Sequence, residues 1–197
     1  MTRLLDIVAS AIGLIVLSPV LALVGIFIKR DSPGPLLFSQ ERVGRRGRLF
    51  MLYKFRTMVP GGESEGPAVT AAGDKRVTRI GRRLRSTKLD ELPQLVNVIR
   101  GDMALVGPRP EVPKYVALWP PEQRDEILSV RPGITDPMTV ELRREEDLLA
   151  LAPDPDAYYR EVLLPKKAAA YVEYVRSKTL IGDIRIVVGT LGSILKD

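Results

Sequence analysis

The longest apolar segment of the chain is residues 7–28, IVASAIGLIVLSPVLALVGIFI. As a helix, this segment would be about 33 Å long, enough to cross the roughly 30 Å hydrocarbon core of a bilayer. Pro19 lies near its midpoint. Because proline lacks an N–H and its ring clashes with the preceding turn, we expect a kink at Ser18-Pro19. The pattern fits either a kinked spanning helix or a re-entrant helix that enters one leaflet and returns to the same face.

Basic residues bound this segment and indicate its orientation. Arg3 precedes it, and Lys29-Arg30 follow it without a convincing cleavage site, which argues against a secretory signal peptide. Lys and Arg are retained on the cytoplasmic side of a membrane, so the basic stretch that follows should lie in the cytoplasm. We therefore predict a membrane helix over residues 1–30 and a cytoplasmic catalytic domain over residues 31–197.

Beyond the membrane segment, the pattern predicts a mostly helical α+β domain. Two short apolar runs at 36–38 and 49–55 surround a Gly-rich turn and predict a small β-hairpin. The Gly/Pro-rich stretch 60–73 has no hydrophobic periodicity, and it is either a lid over a site or a plain surface loop. Helices are predicted over residues 77–85, 91–99, 121–130, 141–151, 156–163, 166–178 and 184–195.

The last predicted helix has one apolar face. Its positions recur at helical spacing, at Ile184, Val187, Val188, Leu191, Ile194 and Leu195. Such a face either packs on the core or lies on the membrane surface, and the sequence leaves both open.

Composition excludes several kinds of chemistry. The chain has no Cys and no His, so thiol nucleophiles, imidazole acid–base catalysis and Cys or His metal sites are all absent. An enzyme with this composition must use carboxylates, Lys, Tyr, Ser or Thr for its nucleophile and proton transfers. Any metal would be a hard cation bound by oxygen, which favours Mg²⁺.

The net charge of +6 is concentrated in one part of the chain. Residues 29–100 contain 16 Lys and Arg against 7 Asp and Glu, whereas residues 101–197 contain 13 against 16. The basic part directly follows the apolar segment. This arrangement indicates anionic partners such as lipid headgroups, phosphates or nucleic acid, although a solvated basic face would show the same count.

Asp90 and Glu91 are adjacent carboxylates at the start of a predicted helix. Asp90 suits an N-cap position, and Pro93 is tolerated in a first helical turn. There the helix dipole would favour an ionised carboxylate and would also favour a phosphoryl group. By spacing alone, however, two acidic residues in a first turn are also what simple capping produces.

Basic residues near this pair favour phosphate chemistry. They are Lys54, Arg56, Arg79, Arg82, Arg83, Arg85 and Lys88. Arg109 and Arg131 each lie beside proline, which reduces the entropy lost when a guanidinium is placed against a phosphate. Two carboxylates, Mg²⁺ and several cations are the components of a phosphoryl-transfer site.

Taken together, the motifs resemble the bacterial sugar transferases known as monotopic phosphoglycosyl transferases, in their minimal, catalytic-domain-only form. In family order they are Ser18-Pro19, SPGP at 32–35, QERVG at 40–44, YKFRTM at 53–58, LDELPQL at 89–95, GDMALVGPRP at 101–110, RPGIT at 131–135 and GDIRIVVGTL at 182–191. Any one of these is weak alone. Jointly they cover nearly the whole chain.

The resemblance implies a fold and a reaction. The fold is a re-entrant helix kinked at Ser18-Pro19 with amphipathic helices on the inner leaflet of the bacterial inner membrane. In the reaction, Asp90 attacks the diphosphate of a UDP-sugar, releases UMP and carries the phosphosugar covalently. A polyprenyl phosphate, undecaprenyl phosphate in these bacteria, then accepts that group. Glu91, with Asp90, is implied to hold Mg²⁺.

Phosphate-binding residues also follow from motif position. They are Lys54, Arg56, Arg85, Arg109, Arg131 and Arg143. The assignment of Arg143 is the least direct, because RPGIT is followed here by 136–143, DPMTVELR, where relatives continue with a different pattern. Asp136 and Glu141 change the local charge.

Two other functions fit parts of the pattern. A membrane-tethered basic module that binds anionic lipid or nucleic acid would use the positive segment but leave the acidic pair without a role. A non-catalytic scaffold for glycan assembly would place the activity in a partner. We expect a UDP-sugar, a polyprenyl phosphate and inner-leaflet lipid as partners, and no nucleic acid; a homodimer is compatible with the sequence.

Overall fold

The computed structural model describes residues 2–62 and 69–194 of the chain. The helices over these residues are α1 (Arg3–Asp31), α2 (Arg79–Ser86), α3 (Gln94–Arg100), α4 (Pro113–Val116), α5 (Pro121–Ile127), α6 (Glu145–Leu151), α7 (Pro155–Tyr158), α8 (Leu164–Ser177) and α9 (Leu180–Ile194). The strands are β1 (Leu37–Val43), β2 (Leu49–Phe55), β3 (Ala104–Val106) and β4 (Gly133–Thr135). The predicted mostly helical α+β class is confirmed.

The predicted hairpin is present and longer than expected. β1 and β2 pair antiparallel from Leu37 opposite Phe55 to Val43 opposite Leu49. A tight turn joins them, with Arg46 in the left-handed region at φ 58°. Alternate side chains of a strand point to opposite faces, so one face of β1 is free to line an internal cavity.

A second, parallel pair of strands was not predicted. β3 pairs with β4, with Ala104 opposite Gly133 and Val106 opposite Thr135. Three-residue strands are too short to show a period-2 pattern, and their partners are far apart in sequence. The two strands approach closely: a Cβ on Gly133 would lie 2.1 Å from the backbone N of Gly107. This contact brings the segments after both strands to the same place.

The largest core lies between the C-terminal helices and the loop after β3. Its fully buried members include Tyr171, Leu164 and Ala168 of α8. Tyr159, Leu163 and Trp119 also belong to it. Residues Tyr159–Leu163 form a π-helical turn between α7 and α8, a feature that often accompanies functional sites.

α1 contacts the rest of the protein near both of its ends. At its N-terminal end, Arg3 donates to the carbonyls of Ile99 and Met103, and the buried Asp6 accepts from the backbone N–H of Leu105. Near its C-terminal end, Val24 and Ile28 belong to a buried cluster with Phe55 and Leu84.

The middle of α1 is different, since its large apolar side chains are exposed. They include Ile12, Ile15 and Val16. Within the described residues, α1 is the helix long and apolar enough to cross a membrane. It is assigned as one continuous helix through Pro19, and the Ser18 hydroxyl donates to the carbonyl of Ile15. The structure thus contains the apolar helix, while the re-entrant kink at Ser18-Pro19 stays a prediction.

Other predicted boundaries shifted. α3 begins at Gln94 rather than at residue 91, because a 3₁₀ turn (Leu89–Glu91) precedes it. α6 begins four residues later than predicted and α9 four residues earlier. Part of the predicted 60–73 loop, residues 63–68, and the predicted last position Leu195 lie outside the described residues.

Gly133→Ala should destabilise the protein by about 3 kcal/mol or more, because its methyl group would overlap backbone atoms of Gly107 that cannot move without separating β3 from β4. Gly192→Ala in α9 is a matched control: a Cβ there meets no atom within 4 Å, and alanine favours helix by up to about 1 kcal/mol. Thermal unfolding in detergent measures both. Equal stability of the two variants would contradict the close approach.

Candidate active site

A cavity of about 510 Å³ contains Asp90 and Glu91 in its wall. The hairpin contributes Lys54 to it, and the segment after β3 contributes Arg109. The segment after β4 contributes Asp136. The cavity therefore lies where distant parts of the chain meet.

The local fold that presents the acidic pair differs from the predicted helix cap. Lys88 adopts the left-handed conformation at φ 57°, and the 3₁₀ turn Leu89–Glu91 follows. Pro93 occupies the N-cap position of α3, so Asp90 is not the cap and the prediction that capping keeps it ionised is wrong. Both carboxylates are buried, with Asp90 6% and Glu91 8% exposed.

Asn97 fixes this segment against the hairpin. Its side-chain amide donates to the carbonyl of Met51 at 2.7 Å, and its amide oxygen accepts from the N–H of Tyr53 at 3.1 Å. Asn97 is fully buried, so these bonds form in a low-dielectric interior and are costly to break. They set α3 beside β2, next to Lys54.

Glu91 is held by two cations. Lys54 Nζ lies 3.0 Å from its Oε1, and the guanidinium of Arg109 donates to both carboxylate oxygens. Burial alone would raise the pKa of Glu91, but the charges of Arg109 and Lys54 hold that pKa well below its usual value. Reciprocally, Glu91 raises the pKa of Arg109 well above its usual value. Glu91 is therefore an ionised anchor for both cations.

Asp90 has the opposite character. Its Oδ1 is buried and accepts no hydrogen bond from the described residues. Burial, together with the neighbouring charge of Glu91, raises the pKa of Asp90 to about 6, against the opposing charges of Lys54, Arg85 and Lys88. A desolvated carboxylate with an unoccupied oxygen is poised to bond an incoming electrophile or cation.

Four of the predicted phosphate-binding residues line the cavity: Lys54, Arg85, Arg109 and Arg143. Arg85 donates from Nε and Nη2 to the carboxylate of Glu146 and lies near Thr57.

Arg56 and Arg131 do not line it. Arg56 is buried and donates to the carbonyls of Ser32 and Pro33, where it fixes the turn after α1. Arg131 donates to the carbonyl of Gly101 at 2.9 Å, at the end of α3. Both guanidiniums are thus engaged by backbone, so the phosphate contacts predicted for them do not follow from their placement.

Several cavity residues were not predicted. They are Arg42, Glu111, Asp136, Tyr159 and Lys167. Arg42 and Glu111 lie in or directly after the quoted QERVG and GPRP motifs, which could have identified them. Lys167 carries no such signal, since it is one cation in a helical stretch.

The acidic pair is also the part of the site suited to Mg²⁺. Within the described residues, no cluster of three or more acidic side chains forms a complete cage. Mg²⁺ nevertheless binds commonly through one or two carboxylates while substrate phosphates and water complete its shell. The unpartnered Asp90 Oδ1 fits that role. Glu91 fits less freely because two cations already share it.

Comparison with known proteins matches residues 1–197 to the model of the family described as "Bacterial sugar transferase". The chain belongs to the bacterial sugar transferase family. A UDP-glucose:undecaprenyl-phosphate glucose-1-phosphate transferase of Caulobacter vibrioides is 38% identical over 98% of this chain. An undecaprenyl-phosphate galactose phosphotransferase of Salmonella typhimurium is 35% identical over 98% of it. The exopolysaccharide production protein PSS of Rhizobium leguminosarum is 37% identical over 97%.

This sugar transferase covers a different share of the length of each relative. The chain spans 69% of the Caulobacter protein, 40% of the Salmonella protein and 93% of the Rhizobium protein.

Asp90→Asn should stabilise the sugar transferase above pH 6 by about 1–3 kcal/mol. Because burial raises the folded-state pKa of Asp90 above its unfolded value, the contribution of Asp90 to wild-type stability falls as pH rises from about 4 to about 6 and then levels. Asparagine cannot ionise, so the variant does not lose this stability. The stability difference between the variant and the wild type should therefore shrink towards pH 4. Urea unfolding across pH measures it.

The control for this experiment is Asp125→Asn, whose side chain is 77% exposed. Its stability should follow that of the wild type at every pH. An Asp90→Asn variant that tracks the wild type in the same way would contradict the raised pKa.

Proposed function

We propose that this sugar transferase moves a sugar 1-phosphate from a UDP-sugar to a polyprenyl phosphate, with Asp90 as the nucleophile. The names of the Caulobacter and Salmonella relatives describe transfers of this class to undecaprenyl phosphate. The observation that carries the proposal is the buried, unpartnered oxygen of Asp90 in a cavity that also holds Lys54, Arg85 and Arg109.

The reaction has two balanced steps. The Asp90 carboxylate attacks the phosphorus attached to the sugar, the bond from that phosphorus to the bridging oxygen breaks, and UMP leaves with the bond's electrons. An oxygen of the polyprenyl phosphate then attacks the same phosphorus. The aspartyl–phosphate bond breaks, which restores the carboxylate and yields polyprenyl-diphosphate-sugar. Neither step needs the His or Cys that the chain lacks.

Positive side chains would stabilise charge in both steps. Arg109 is a planar fork that can donate two parallel hydrogen bonds to a phosphate, whereas Lys54 supplies a compact point charge. Both are already fixed by Glu91, so little reorganisation is needed as the leaving group gains charge. Arg85, held by Glu146, faces the same cavity.

We propose that Asp90 and Glu91 would hold Mg²⁺ if the enzyme uses this ion. The ion would neutralise part of the charge of the diphosphate. The chain's own contribution is to keep Glu91 ionised beside Arg109 and to leave an oxygen of Asp90 without a competing donor.

The membrane arrangement is part of the proposal. A helix that spans a bilayer projects away from a domain on one side, but α1 contacts this domain through Arg3 and Asp6 at one end and Ile28 at the other. This supports a re-entrant α1 with both ends at the inner face of the bacterial inner membrane and the domain in the cytoplasm.

α9 fits the same plane as an interfacial helix. On one face Asp183 is fully buried and Thr190 hydrogen-bonds Thr135 of β4. The opposite face exposes Leu180, Ile181, Ile184, Val188 and Leu191. An apolar face of this kind suits partial burial in the headgroup region.

Purified protein in nanodiscs with undecaprenyl phosphate should release UMP from a panel of UDP-sugars, and EDTA should stop the release.

Asp90→Asn should lower the rate by about 10³-fold or more because the nucleophile is lost. Glu91→Gln should lower it by about 10²-fold because Lys54 and Arg109 lose their shared anchor. Asp125→Asn is the exposed control. Near-normal turnover by Asp90→Asn would overturn the nucleophile assignment, and no release by wild type would overturn the function.

Thr2→Cys creates the only thiol in the chain, and a membrane-impermeant maleimide can report its side of the membrane. A re-entrant α1 predicts labelling in inverted vesicles and none in intact spheroplasts. The reverse pattern would show a spanning helix. A cysteine placed at the exposed Asp125 reports the side on which the domain lies.

A further inference from the structure

Arg42 lines the cavity from β1, the strand that pairs with β2, which carries Lys54. Phe38, Gln40 and Arg42 alternate along β1, and all three line the cavity. Their common face is therefore the one that a bound donor would meet. Arg42 has no role in the site as described so far.

The guanidinium of Arg42 is fixed by two strong contacts. Nη2 donates to Oε1 of Gln40 at 2.7 Å, and Nη1 donates to the carbonyl of Pro110 at 3.0 Å. The Nε–H is buried and has no acceptor within the described residues. A guanidinium carries five N–H donors, and the contacts to Pro110 and Gln40 use two of them, so a charged donor group remains on the cavity wall for an anionic oxygen.

The counter-charge of Arg42 is Glu111, which is itself anchored by a second contact. The Glu111 carboxylate lies 3.7 Å from Nη1 of Arg42. Its other oxygen accepts from the Tyr159 hydroxyl at 2.5 Å. Lys167 contacts that hydroxyl at 3.3 Å and pairs with Glu145 at 2.7 Å.

This network is well suited to positioning. Glu111 and Lys167 are each only 4% exposed, and Tyr159 lies in the π-helical turn before α8. Truncating one member of a buried charged network leaves the others uncompensated, so the network holds one geometry. Glu111 directly follows Arg109-Pro110, so the same anchor fixes the backbone that carries Arg109.

The charges around the acidic pair leave room for an anion. Lys54 and Arg109 share one carboxylate, Glu91, and Arg42 faces one carboxylate, Glu111. Among the residues that line the cavity as a whole, eight are Lys or Arg and six are Asp or Glu, so the wall carries a net positive charge. Burial lowers the pKa of Arg42 against the opposing charge of Glu111, and the nearby charge of Arg109 adds to the lowering.

We propose that Arg42 binds a phosphate of the donor diphosphate together with Lys54 and Arg109, and that Glu111 is the positioning residue that holds Arg42 in place. The identity of the ligand as a nucleoside diphosphate sugar rests on the proposed function. The binding of a diphosphate group at Arg42 rests only on the cavity and its charges.

Calorimetric titration of the protein in nanodiscs with UDP, and separately with inorganic pyrophosphate, tests this site. Arg42→Gln should weaken UDP binding by about 10- to 100-fold, the loss expected for a charge-assisted contact. Arg42→Lys should recover part of the affinity because it restores the charge without the fork. Arg48→Gln, at an exposed position of the same hairpin, should bind UDP as the wild type does.

Glu111→Gln separates positioning from folding. If Glu111 acts through Arg42, its variant should weaken UDP binding less than Arg42→Gln does, and the double variant should be no weaker than Arg42→Gln alone. Independent, additive losses would overturn the positioning role. A UDP affinity of Arg42→Gln within about twofold of the wild type would overturn the binding role. A twofold change in Kd corresponds to a smaller binding free energy than one charge-assisted hydrogen bond contributes.

The same titration keeps the two proposals apart. A wild-type protein that binds UDP through Arg42 but releases no UMP from any UDP-sugar would retain this site and refute the proposed reaction. A protein that releases UMP with unchanged UDP affinity in Arg42→Gln would retain the reaction and refute this site. If Arg42→Gln does not fold, Arg42→Lys alone decides, since unchanged UDP affinity in that folded variant would contradict a phosphate contact made by the guanidinium.

Discussion

The buried carboxylate of Glu91 is the point at which three separate parts of the chain are joined. Lys54 reaches it from the hairpin, and Arg109 reaches it from the loop after β3. Each cation is half-buried in the cavity wall, and the shared carboxylate offsets part of the cost of removing it from water. Removing Glu91 would leave two half-buried cations without their shared ion-pair partner, so the acidic residue organises the cationic site.

Asp90 owes its properties to that arrangement. Because Glu91 takes the nearest cations, Asp90 keeps an oxygen without a partner and a pKa raised to about 6 by burial. Two adjacent carboxylates thus differ in function through their environment alone: one anchors, the other stays available. Phosphoryl transfer requires both, since positioned cations stabilise the leaving group and an unengaged nucleophile attacks.

The sequence predicted the features that local pattern encodes. The apolar helix, the hairpin and the acidic pair each follow from spacing within a few residues, and the family motifs added the likeness to sugar transferases. The prediction of a helix cap at Asp90 was wrong, because Lys88 adopts a left-handed conformation and a 3₁₀ turn follows it. Local propensity does not record that conformation, which the surrounding packing imposes.

Contacts between distant residues explain what the sequence did not show. β3 and β4 pair across 29 positions through a close approach at Gly133, and no period-2 pattern marks strands of three residues. Tyr159 meets Glu111 across 48 positions. Arg56 and Arg131 lie in motifs beside the site, yet their guanidiniums bind backbone carbonyls, a distinction that only tertiary structure makes.

The most direct test of Asp90 as the available carboxylate is intact-protein and peptide mass spectrometry after rapid acid quench, with UDP-sugar and Mg²⁺ but no polyprenyl phosphate. The account predicts a mass increase of one sugar phosphate on the peptide that contains Asp90, lost when polyprenyl phosphate is added and absent in Asp90→Asn. A wild-type protein that turns over with lipid acceptor but never carries this mass, or carries it on another residue, would contradict it.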